Sequence, residues 1–133
     1  MDLIPGITQT ASALEVNKQR LEVIAQNIAN AHTTLDESGG PYQRQVVSFE
    51  AVLNDAKNYG VKIGQITKDV TPGPSVYNPS HPHADEKGMV QMPNVSMTQE
   101  MVDMITASRA YEANLSVAKT SRQMAERALE IGR

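Results

Sequence analysis

With 133 residues, 40% hydrophobic and 20% charged, the chain has the composition of one ordered domain and not of a disordered segment. Four Tyr, one Phe and no Trp leave few bulky rings to fill a large private core. A net charge of -3 without a long basic run argues against a nucleic-acid surface, and the lack of cysteine excludes disulfides, thiolate metal sites and cysteine nucleophiles. No run of about 18 apolar residues occurs, so no membrane span is expected, and residues 1–6 lack the basic and apolar regions of a cleavable signal.

The first predicted element is a helix over residues 7–31. Ile7, Leu14, Leu21 and Ile28 recur at heptad spacing, and Ile24 and Ala31 fill d positions. Asn17, also at d, is a polar interruption of the kind that fixes register. Val16 and Val23 fall at position c, away from this seam. Residues 23–35 carry no charge, and their Asn, Gln and Thr side chains suit close helix approach without burying an unpaired ion.

Gly39, Gly40 and Pro41 open a different region, residues 35–93. Residues 42–49 and 61–67 read as strands, with residues 50–58 between them as a short helical turn. Four prolines between residues 72 and 82 predict an extended, irregular course. Lys87 and Gly88 mark a turn, and Met89, Val90 and Met92 return as a short strand.

The longest predicted element is a helix over residues 94–133, about ten turns at 3.6 residues per turn. Pro93 blocks extension backwards, and Ser96 with Gln99 forms a capping-box pattern. Glu100 and Asp103 suit the positive end of the helix dipole, Arg122, Arg127 and Arg133 the negative end, and Gly132 a left-handed stop. With Met101 at position a, the residues Met97, Met101, Met104, Tyr111, Leu115, Ala118, Ala125 and Leu129 occupy a and d. A second stripe, Ala110, Val117, Met124 and Ile131, repeats at position c.

These elements predict a mainly α fold with a small β insert. The terminal helices, residues 1–34 and 94–133, pack as an α-helical hairpin or coiled coil and form one discontinuous helical domain. Residues 35–93 form the β-rich insert. Two stripes per helix leave Val16, Val23, Ala110, Val117, Met124 and Ile131 facing outward once the first seam is closed. Covering a few such side chains is worth several kcal/mol at roughly 25 cal/mol per Å². Neighbouring chains are expected to supply the cover, through Val16, Leu21, Val23, Ile24, Ile28, Met101, Met104, Tyr111, Leu115, Val117, Met124 and Ile131. A head-to-tail contact of this kind that does not close makes a helical filament.

Chemistry has little support. His81, His83 and Asp85 alternate along an extended segment and could offer metal ligands, but Pro82 between them fits a rigid turn at least as well. No glycine-rich phosphate loop or nucleophile elbow accompanies them. The expectation is a non-enzyme with no catalytic residue, metal or cofactor. The alternatives are a self-contained helical-hairpin adaptor or chaperone and, behind it, a His-based metal-dependent enzyme.

The segment LEVIAQNIANAHTT, residues 21–34, resembles the Asn/Ala-rich helix end shared by the axial rod and hook proteins of the bacterial flagellum. VYNPSHPHADEKGMVQMPN, residues 76–94, and EMVDMITASRAYEAN, residues 100–114, narrow the resemblance to the basal-body rod proteins of that family. Met89 departs from it, since an aromatic is expected after the glycine of the Lys87-Gly88 turn. The resemblance implies a structural subunit of the proximal rod that transmits torque in the periplasm. It also implies partners among its own copies and other rod proteins, export through the flagellar type III apparatus without a cleavable signal, and a structural role for His81, Pro82, His83 and Asp85.

Overall fold

The computed structural model describes residues 6–55 and 58–132. Its elements in chain order are α1 (Ile7–Ala29), β1 (Gln45–Asp55), β2 (Asn58–Lys68), β3 (Ser75–Tyr77), β4 (Met89–Gln91) and α2 (Met97–Ile131). Two antiparallel pairs form, β1 with β2 and β3 with β4.

Helix α1 starts after Gly6, whose φ of 106° a side chain would disfavour. Thr10 closes the first turn by donating its hydroxyl to the Gly6 carbonyl at 2.6 Å. Helix α2 starts where its cap predicts, since Ser96 Oγ accepts from the Gln99 N–H. The reciprocal half of a capping box does not form: the Gln99 amide donates to Asp103 instead, at 3.3 Å. At the other end Gly132 has φ −87°, so the stop is not left-handed, and the last turn holds no basic residue. Arg133 lies outside the described residues.

The two helices pack along one another, with Asn27 near the end of α1 bonded to Glu100 at the start of α2, so they run antiparallel. Among the buried and half-buried positions of α2, which also include Asp103, Ser108 and Ala110, one row runs unbroken: Glu100, Met104, Ala107, Tyr111, Asn114, Ala118, Ser121 and Ala125. This is the expected d row joined to the g row, not to the a row. Small and polar residues at g let the backbones approach, so the helix turns one heptad position and leaves Met101, Leu115 and Leu129 outside. Asn17 does not bridge the helices; its amide donates to the Ala13 carbonyl of its own helix at 2.8 Å.

The hairpin strands are longer than the propensities suggest. Residues 50–55 continue β1 instead of turning into a helix, because Ala51, Val52 and Leu53 pair with Val61, Gly60 and Tyr59. Residues 56 and 57 lie outside the described part of that expected turn. The partner of Ser48 is Gln65 but that of Phe49 is Ile63, so Gly64 is a bulge. Its Cβ, if present, would stand 2.6 Å from the Glu50 side chain.

The β1–β2 hairpin lies across α1. Gln45 donates its N–H to Asn27 Oδ1 and accepts from Asn27 Nδ2, both at 2.9 Å, while the Val61 N–H of β2 donates to Ser12 Oγ at 3.3 Å. The helix therefore passes from the outer edge of β1 to the outer edge of β2, as the twist of a two-stranded ribbon requires. Fifteen helical residues rise ~22 Å and six strand residues ~20 Å, so the two elements keep pace along this crossing.

This crossing corrects one expectation. Val16 and Val23 are buried inside the chain and do not form an outward stripe. Their face of α1 is where the hairpin packs, and strands of 11 residues each are long enough to cover it. Asn94 ties the remaining loops to the hairpin, accepting from the Arg44 N–H at 2.7 Å and donating to the carbonyls of Asp69 and Thr71 at 2.9 Å.

Candidate assembly surface

A polar knot fixes the geometry of the surface. Asn27 and Glu100 are 1% and 0% exposed. Asn27 Oδ1 accepts from the Tyr42 hydroxyl and the Gln45 N–H, both at 2.9 Å. Its Nδ2 donates to the Gln45 carbonyl and, at 3.1 Å, to Glu100 Oε2. The other Glu100 oxygen accepts from Arg44 Nε at 2.5 Å, and Arg44 reaches Asp103 at 3.5 Å. Both donors and both acceptor sites of Asn27 are used, so a neutral amide joins α1, β1 and α2 without an unsatisfied group. Burial beside the Glu100 charge raises the Tyr42 pKa above its ordinary value, desolvation being the larger cause.

With that knot holding α2 in register, the back of the helix is left open. Met101, Val102 and Ile105 are exposed at its beginning, and Val117, Met124, Leu129 and Ile131 further along. Val117, Met124 and Ile131 are 53%, 66% and 85% exposed. Among the residues expected to form an interface, the structure thus brings Met101, Leu115, Val117, Met124 and Ile131 to the surface. Leu21, Ile28, Met104 and Tyr111 are half-buried in the α1–α2 contact region, while Val16, Val23 and Ile24 are in the core. Val102 and Ile105 escaped the sequence reading because they fall at b and e. The run Met101, Val102, Met104, Ile105 was the available signal, since four large apolar residues in one turn and a half exceed what one seam can cover.

The histidine segment is occupied by its own turn. His81 Nδ1 accepts from the His83 N–H at 3.1 Å, and His83 Nδ1 lies 2.8 Å from the Thr34 hydroxyl, which pins this loop to the segment that follows α1. Asp85 Oδ1 accepts from the N–H groups of Lys87 and Met89, both at 2.8 Å, in a turn that needs Gly88 at φ 74°. Among the described residues no group of three or more His, Cys, Asp or Glu side chains is placed to hold a metal ion. Nor is any described helix long and apolar enough to cross a membrane.

The family model described as "Flagellar basal body rod FlgEFG protein C-terminal" matches residues 86–131, which take in the β4 strand and the whole of α2. The flagellar basal-body rod protein FlgC of Borreliella burgdorferi is 38% identical, covering 98% of this chain and 98% of its own length. The FlgC protein of Yersinia enterocolitica is 39% identical over 99% of both chains. That of Bacillus subtilis is 35% identical over 100% of both. Identity at this level along the whole chain takes in α1, the hairpin, the histidine turn and α2 together, and the chain belongs to the FlgC family of flagellar basal-body rod proteins.

Proposed function

We propose that the chain is a subunit of the proximal rod of the flagellar basal body, and that it assembles by laying the open back of α2 against neighbouring copies and other rod proteins. Its family is one of structural rod proteins, not of enzymes. The observation that carries the reading is the apolar back of α2, which recurs at Val117, Met124 and Ile131 at heptad spacing and is exposed in the single chain. At roughly 25 cal/mol per Å², burying several such side chains supplies several kcal/mol per contact, and repetition along a helical shaft lets many shallow contacts carry torque in parallel.

Within this proposal residues 1–34 and 94–133 act as one discontinuous helical domain and residues 35–93 as its insert. The d and g residues of α2 from Glu100 to Ala118, the stretch beside α1, alternate at spacings of four and three, the 3.5-residue period of a left-handed supercoil, which supports reading the helix pair as a short coiled coil. Placement in the periplasmic section of the basal body and delivery by the flagellar type III export apparatus without a cleavable signal complete the reading. They rest on family membership.

The test is Val117→Asp in cells whose only copy carries the change. A charge placed on a face that becomes buried costs several kcal/mol at each contact. The protein should be made at its usual level while rods and swimming are lost. Swimming at the ordinary rate would show that this face stays wet in the rod and would end the proposal.

A further inference from the structure

The crossing of α1 under the hairpin covers only part of each strand edge. In an antiparallel ladder alternate residues turn their N–H and C=O outward. Gln45 does so on β1, toward Asn27, and Val61 on β2, toward Ser12. With Val61 paired to Ala51, both observations give the same parity, and the outward groups of β1 beyond Gln45 belong to Val47, Phe49, Ala51 and Leu53. Among the described residues no hydrogen bond from outside the hairpin reaches these four, which make an open edge of about 20 Å at ~3.4 Å per residue. On β2 the half beyond Val61 is open in the same way, on the opposite side of the hairpin.

The two open halves differ in charge. The open half of β1, residues 47–53, carries only Glu50, and the open half of β2, residues 63–68, carries only Lys68, with Lys62 just before it. Glu50 and Lys62 meet at 3.5 Å with side chains 57% and 61% exposed, a loose pair that a neighbour can share. Phe49 and Leu53 on β1 and Ile66 on β2 are exposed beside these edges. Long, apolar, uncovered edges are templates for another strand.

We propose that the open half of β1 in one copy pairs with the open β2 half, residues 63–68, of the next copy, so that the inserts join into a continuous β layer on the assembled shaft. Charge selects this arrangement. Pairing β1 with β1 brings two Glu50 carboxylates together, and pairing β2 with β2 brings lysines together, while β1 with β2 sets acid against base. The contact is heterologous and leaves one free edge of each kind, so it propagates. This inference rests on the rod-subunit reading.

The chain has no cysteine, which makes cross-linking clean. Ala51→Cys protein mixed with Gln65→Cys, Ile66→Cys or Thr67→Cys protein, assembled and then oxidised, should give disulfide-linked dimers for at least one mixture and none for any variant alone. A chain carrying both changes should give a ladder. Dimers from Ala51→Cys alone would mean like-with-like pairing, and no cross-link in assembled material would mean no edge contact; either result overturns the proposal. Ala51→Pro supplies the second test, because the Ala51 N–H faces outward and its loss spares the β1–β2 ladder. It should leave the hairpin's own exchange protection unchanged and abolish the ladder. If Ala51→Pro rods are normal while Val117→Asp rods are absent, the β layer is refuted and the rod-subunit reading stands.

Discussion

Glu100 is the residue on which the packing turns. Its carboxylate has no exposed surface and holds Arg44 on one oxygen and Asn27 on the other. Truncation to Ala would leave one Asn27 N–H unpaired and Arg44 with Asp103 alone, and breaking a buried pair from one side costs about 3–5 kcal/mol. Glu100→Ala should therefore lower the urea midpoint by that equivalent, and Glu100→Gln, which keeps the shape and one acceptor, by clearly less. Equal losses for the two variants would show that packing and not pairing matters at this site. None of this was legible in the sequence. Glu100 read as an ordinary acid in the first turn of a helix, because Arg44 lies 56 residues away and nothing local links them. Asn27 belonged to an uncharged stretch whose meaning was visible, namely close approach without buried charge, although its partners were not.

At the scale of the element, the helices were legible and their rotation was not. Periodicity places a helix wherever apolar residues recur at three and four, and both α1 and α2 appear within a few residues of their expected ends. It does not say which of two adjacent rows faces the partner. On α2 the larger residues at a pointed to an a/d seam, yet the structure buries g and d, where Ala107, Asn114 and Ser121 alternate with Met104, Tyr111 and Ala118. Small side chains win because they permit a close helix pair, while the bulky row stays exposed. Ala107, with no exposed surface, measures this directly. Ala107→Leu forces three extra carbons into the α1–α2 interface and should destabilise the chain by about 1–3 kcal/mol in denaturant unfolding. A neutral effect would mean that the helices can separate freely, and that the a/d seam is as good as the one observed. The hairpin was found by strand propensity but cut short, since Glu50 and the residues after it have mixed preferences and only pairing with β2 extends them.

For the whole molecule, the unequal helices separate the part of α2 that α1 covers from the part that it does not. Helix α1 has 23 residues and α2 has 35, about 34 Å against 52 Å at ~1.5 Å per residue. With Asn27 opposite Glu100, α1 reaches its first residue near position 120 of α2. The last ten residues of α2, with Met124, Leu129 and Ile131 exposed, then continue past the described residues of α1. A lone helical segment of that length is marginal in water, because helix nucleation is costly and short helices draw most of their stability from a packed face. Hydrogen exchange on the dilute full-length chain should thus divide α2: slow from Glu100 to about Ala118, held by the knot and the α1 contact, and near the unfolded rate beyond Arg122. In assembled rods the same C-terminal amides should become protected, since the neighbours that cover Met124 and Ile131 also fix the backbone beneath them. Strong protection of residues 122–131 in a proven monomer would mean that the exposed stripe is not waiting for a partner, and a self-contained helical adaptor would then account for the fold better than a rod subunit does.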